Sequence, residues 1–149
     1  MADDGFENPS DDDLRQIYEA TSTIAVVGAS ENPGKPAFAI PRQLKGLGYR
    51  IVPVNPKGGE ILGERAFPSL DEVDVPIDVV DVFRPAEETP EIARQAVKAG
   101  AKVLWLQEGI VSEEAGRIAR DGGLTAVMGI CMGATARRLR IAAKSTRSG

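Results

Sequence analysis

The chain has 149 residues, 42% of them hydrophobic and 27% charged, and a formal net charge of −4. That is material for one soluble domain with its own core, and the acidic balance excludes general nucleic-acid affinity while leaving room for a local basic pocket. With no histidine and one cysteine, Cys131, the chain lacks Ser–His and Cys–His pairs, histidine or cysteine-cluster metal sites, phosphohistidine chemistry and any intrachain disulfide.

Met1–Pro9 is acidic and polar. Ser10, with Asp13 three residues on, reads as a capping box ahead of Leu14, Ile17 and Tyr18, which share one helical face. A short helix ending near Ala20 is expected. Residues 1–13 are assigned to an acidic mobile N-terminus, 14–143 to the domain and 144–149 to a frayed tail. No apolar run approaches the roughly 18 residues of a membrane span, and the acidic start has no signal-peptide pattern. A cytoplasmic protein without a membrane partner is the expectation.

Ile24 to Gly28 reads as the first strand. The next segment is helical, with apolar residues at Ala37, Ile40, Leu44 and Leu47, although Pro41 should kink it or delay its start. Arg50–Val54 is the second strand, and Gly58–Gly63 a turn with a short extended piece. Ile77–Phe83 is the third strand, interrupted by Asp78 and Asp81, whose spacing of three puts them on opposite faces. Thr89 and Pro90 open a helix with a buried face of Ile92, Ala93, Ala96 and Val97. Lys102–Leu106 is the fourth strand. Ser112 caps a helix that Gly122 and Gly123 end, Leu124–Met128 is the fifth strand, and a final helix is expected within Cys131–Ala143. Strands alternating with helices predict a single α/β domain. It should hold a Rossmann-like, doubly wound parallel sheet of about five strands in the order 3-2-1-4-5.

In such folds, ligands lie at the carboxyl ends of the strands. Val26-Val27-Gly28-Ala29-Ser30, followed by Lys35, closes a β-branched run with a glycine turn and opens a helix, the arrangement that presents N–H groups to a phosphate. The G-x-G-x-x-G fingerprint of a standard NAD site is absent. Pro53-Val54-Asn55-Pro56-Lys57 ends the second strand, where an NAD site carries a carboxylate; Lys57 suits a ribose phosphate instead. Phe83 and Arg84 bring a ring and a guanidinium to the same rim, and Gln107, Glu108 and Cys131 also reach it. Trp105 reads as core.

Taken in order, Val26–Ser30 with Pro33 and Lys35, Val52–Pro56, Ile61–Gly63, Asp81–Arg84 and Trp105–Gly109 resemble the CoA-binding domain family. These are small single-domain proteins related to the nucleotide-binding domain of the succinyl-CoA synthetase alpha subunit. The resemblance runs from about Thr23 to Cys131. It implies coenzyme A as the cofactor, lying over the carboxyl edge of the sheet. Gly28, Ala29, Ser30 and Lys35 would hold the pyrophosphate, Pro53, Asn55, Pro56 and Lys57 would surround the 3′-phosphate end, and Phe83 and Arg84 would flank the nucleotide. The chain departs from the family where Asp-Arg usually precedes the cysteine; Gly129 and Ile130 stand there. The expected function is binding of CoA or acyl-CoA as a carrier, sensor or regulatory module without a catalytic centre, with an unidentified protein partner allowed. The alternatives are an NADP-dependent oxidoreductase and the nucleotide-binding subunit of an acyl-CoA synthetase built from separate chains.

Overall fold

The structure, a computed structural model, describes residues 6–144. Helix α1 (Asp11–Ala20) opens on Ser10, whose hydroxyl oxygen accepts the Asp13 N–H at 3.1 Å. One parallel sheet is built from β1 (Thr23–Val27), β2 (Arg50–Val54), β5 (Val79–Val82), β6 (Val103–Glu108) and β7 (Thr125–Gly129), in the spatial order β2-β1-β5-β6-β7. A two-residue antiparallel pair, β3 (Glu60–Ile61) and β4 (Glu64–Arg65), lies in the connection between β2 and β5. Helices α2 (Pro36–Gly46), α3 (Thr89–Lys98), α4 (Glu113–Asp121) and α5 (Met132–Arg138) complete the domain. No helix among the described residues is long and apolar enough to cross a membrane.

The α/β class and the five parallel strands agree with the sequence, but the strand order does not. Counting sheet strands alone, it is 2-1-3-4-5 rather than 3-2-1-4-5, because β5 pairs with β1 on the side away from β2. Every residue of β5 is buried, so its composition suits either flank. The flank beside β2 is closed by the chain itself: the Phe67 N–H donates to the Pro53 carbonyl at 3.0 Å and the Asn55 N–H to the Phe67 carbonyl at 2.9 Å. The topological switch point therefore falls between β1 and β5.

Alternation along the strands divides the core in two. Leu104 and Leu106 of β6 face α3 and α4, packing with Ile92, Ala96 and Ala119, whereas Trp105 faces α1, α2 and α5 with Tyr18, Leu44 and Met132. On that second side, the Tyr18 hydroxyl donates to the Met132 carbonyl at 2.6 Å, and the Trp105 indole to the Ile130 carbonyl at 2.8 Å. Both polar tips are thus satisfied inside an apolar layer.

Three local expectations change. The anchored chain starts earlier than residue 14: Phe6 packs on the core, and Asp11–Asp13 form the first turn of α1. Between them, the Asn8 amide pairs with both the N–H and the carbonyl of Met128, at 2.9 and 3.0 Å. Residues 1–5 of the expected N-terminal segment and 145–149 of the expected tail lie outside the described residues, while Lys144 donates to the Leu47 and Glu19 carbonyls. Thr89 does not cap α3; its hydroxyl donates to the Ala86 carbonyl within a preceding turn of 3-10 helix, Ala86–Glu88. Asp78 lies just before β5, where one carboxylate oxygen accepts the Ser22 and Thr23 N–H groups and fixes the start of β1.

Candidate functional site

Three connections meet at the carboxyl end of the sheet beside the switch point: the β1–α2 loop, the turn after β2 and the lead-in to α3. Gly28 leaves β1 with φ +91°, and a Cβ there would lie 2.9 Å from both Arg84 Cδ and the Phe83 carbonyl oxygen. Glycine is what lets the two crossing segments touch. The Gly28 N–H donates to the Val54 carbonyl at 3.0 Å, and the Ser30 N–H to the Ala37 carbonyl at 3.2 Å. The second bond has a cause in the sequence: Pro41, inside α2, has no N–H for the carbonyl four residues earlier. Helix α2 runs through its proline because the loop supplies the missing donor. These two amides therefore serve the fold, and the expected backbone cradle is thinner than the sequence implied.

The rest of the loop is ordered by its own polar groups. Ser30 Oγ accepts the Asn32 N–H and Asn32 Oδ1 accepts the Gly34 N–H, each at 2.9 Å, leading the chain to Lys35 at the cap of α2. Asn55 ties the turn after β2 to this loop. Its Nδ2 donates to the Ala29 carbonyl at 2.8 Å, and its Oδ1 accepts the Lys57 N–H at 2.8 Å.

The resulting cleft, about 600 Å³ in volume, collects Gly28, Ala29, Ser30, Lys35, Asn55, Pro56, Lys57 and Arg84. Two expected site residues are not brought to it. Pro53 is buried within β2 opposite Val26, and Phe83 lines a different cleft. Sequence reasoning missed Leu70, Ile92 and Gln95, which also line this cleft. Ile92 and Gln95 are three apart on α3 and so share a face. That face reaches the cleft only because β5, and with it α3, flanks β1.

Charge in this cleft is mixed. Lys35, Lys57 and Arg84 come from three separate connections, against the carboxylates of Glu31 and Glu88. The Arg84 guanidinium is engaged by Glu88, which raises the arginine above its ordinary value and holds the Glu88 carboxyl below its own.

A second cleft of about 750 Å³ adjoins the first, with Lys35 lining both. Its walls are Pro36, Ala37 and Ile40 of α2, Phe83 after β5, Gln107 and Glu108 at the end of β6 with Gly109 and Ile110 after it, and the half-buried Cys131. The Cys131 sulfur accepts the Ala134 N–H at 3.3 Å, capping α5. Gln107 is held from behind: its Nε2 donates to Asp81, and its Oε1 accepts the Met132 N–H at 3.3 Å. Asp81 is wholly buried in β5, and its second oxygen has no partner among the described residues. Burial pushes this carboxyl up to about 7, against the lowering effect of the Gln107 bond.

Comparison with known proteins follows the same outline. A family profile described as CoA binding domain matches residues 22–137. The Bacillus subtilis (strain 168) protein named "Uncharacterized protein YneT" is 39% identical over 127 residues, covering 85% of this chain and 94% of that protein. A solved structure described as a hypothetical protein from Pyrococcus horikoshii OT3 superposes with a TM-score of 0.87 at 36% identity, covering 94% of this chain and 99% of that one. The ADP-forming acetate–CoA ligase II of Archaeoglobus fulgidus is 35% identical over 104 residues, which is 68% of this chain and 15% of the ligase.

Proposed function

The chain belongs to the CoA-binding domain family, and from that premise we propose that it binds coenzyme A or an acyl-CoA as a carrier, sensor or regulatory module with no catalytic centre of its own. The observation that supports this most is the meeting of Lys35, Lys57 and Arg84 at one cleft around the Gly28 turn. CoA offers that cleft two separated anionic groups, a pyrophosphate and a ribose 3′-phosphate, and cations are the side chains that bind such groups. In this reading Lys35 and Arg84 meet the pyrophosphate, Lys57 meets the 3′-phosphate, and Leu70 and Ile92 pack against the nucleoside.

Calorimetric titration of the purified chain with CoA, NADH and NADPH tests the proposal. CoA is expected to bind and the nicotinamide nucleotides are not. Binding of NADPH without CoA would turn the reading over to the oxidoreductase alternative. The same preparation, given a carboxylic acid, a nucleoside triphosphate and CoA, is expected to form no acyl-CoA. Product formation would end the non-catalytic part of the proposal. The match to 15% of a ligase's length favours one second reading, a nucleotide-binding subunit serving domains on another chain. A stable co-purifying partner with ligase activity would select it.

A further inference from the structure

The second cleft differs in chemistry from the first. Its walls present carbon from Ile40, Phe83 and Ile110, each partly buried and each facing a space that the folded chain leaves unfilled. Its one lining cation, Lys35, stands at the junction with the phosphate cleft. Its one lining carboxylate is that of the exposed Glu108. The buried Gln107 amide is engaged by Asp81 and the Met132 N–H.

We propose that this cleft receives the acylated end of a CoA thioester and selects neutral, apolar acyl groups over dicarboxylic ones. The inference rests on the CoA reading above and adds the class of acyl group to it. The two clefts share Lys35 in their walls. A ligand whose pyrophosphate lies there and whose nucleotide fills the first cleft sends its arm into the second. Free CoA ends in a small thiol and leaves carbon walls in contact with water. A short alkyl acyl group covers them, and each methylene removed from water tightens binding by about fourfold. A succinyl group gains nothing of the kind, because its terminal carboxylate meets the carboxylate of Glu108 while Lys35, the one cation lining the cleft, is taken by the pyrophosphate.

The test is calorimetry of the whole chain with CoA, acetyl-CoA, butyryl-CoA and succinyl-CoA. Affinity should rise from CoA through acetyl-CoA to butyryl-CoA by about fourfold per buried methylene, with succinyl-CoA no tighter than CoA. Glu108→Lys, a change at an exposed position, should then strengthen succinyl-CoA about tenfold relative to butyryl-CoA. If CoA binds but the series is flat, or succinyl-CoA is tightest on the native chain, the acyl assignment is overturned and the CoA reading stands. If Glu108→Lys leaves the succinyl-to-butyryl ratio unmoved, the acyl terminus does not face Glu108 and the proposed selectivity has no basis. If no CoA species binds at all, it is the CoA reading itself that fails.

Discussion

Arg84 and Glu88, both lining the cleft around the Gly28 turn, form a two-pronged ion pair, Nε to Oε1 at 2.9 Å and Nη2 to Oε2 at 2.8 Å. The pair spans the 3-10 turn that leads into α3, and the arginine's stem lies against Gly28. A cation suited to a phosphate is thus already matched to a carboxylate of its own chain. Any anionic ligand competes with Glu88 for the same donors and also meets its negative charge.

Removing the competitor should therefore help the ligand. Glu88→Gln is expected to lower the Kd for CoA by about tenfold, the scale of one charge-assisted hydrogen bond. The unfolding midpoint should scarcely move, because an exposed ion pair contributes little to stability. Titration calorimetry reads the first effect and thermal denaturation the second. Weaker CoA binding in the variant would instead make Glu88 a residue that positions Arg84.

Lys35 and Lys57 should be separable by ligand. Lys57→Ala is expected to weaken CoA by about 10- to 100-fold while leaving dephospho-CoA, which lacks the 3′-phosphate, nearly unchanged. Lys35→Ala should weaken both, since both keep the pyrophosphate. Titrating two ligands against two variants gives the answer, and equal losses for Lys57→Ala would falsify the placement of the ribose end.

Gly28→Ala places a methyl group where the Arg84 stem and the Phe83 carbonyl already stand, at a φ that disfavours any side chain. A loss of stability on the order of 1–3 kcal/mol is expected, measured by urea denaturation, with CoA affinity falling as Arg84 is displaced. An alanine variant of native stability would mean that the two segments do not cross in contact.

Asp81 makes stability depend on pH in an unusual direction. The unfolded chain releases this proton near 3.8, whereas the folded protein keeps it to about 7. In that window the folded state binds more protons, so stability falls as pH rises, by up to about 1.4 kcal/mol per pH unit. Asp11, Glu88 and Glu91, all held below their ordinary values, have the opposite sign and act at lower pH. Asp81→Asn should flatten the profile between pH 4.5 and about 7 in denaturant titrations. A native profile no steeper than the variant's would show that Asp81 ionises normally.

Much of the fold was legible because its signals are local. Ser10 and Ser112 announce their helices, and each does accept the expected N–H. The β-branched runs mark the strands. The order of those strands was not legible, since Val79–Val82 is buried on both faces and would suit either side of β1. What excluded the far side was Phe67, a single residue in an irregular connection. The site followed the same division. Gly28, Lys35, Lys57 and Arg84 sit at strand ends that the pattern reveals, whereas Ile92 and Gln95 enter only through the true strand order. Pro53 looked like part of a motif, yet the pleat buries it. The Arg84–Glu88 pair could be suspected from its spacing of four, but not its place over the glycine turn.

Asn8 gives the sheet its outer limit. Strand β7 is the last of five, and an unpaired edge invites the strand of another molecule. By pairing with both polar groups of Met128, one side-chain amide imitates a sixth strand that is a single residue long. At the opposite margin Phe67 does the same for β2. The sheet is thus terminated at both ends from within its own sequence, so crowding many copies together offers no backbone template for end-to-end growth at these two positions.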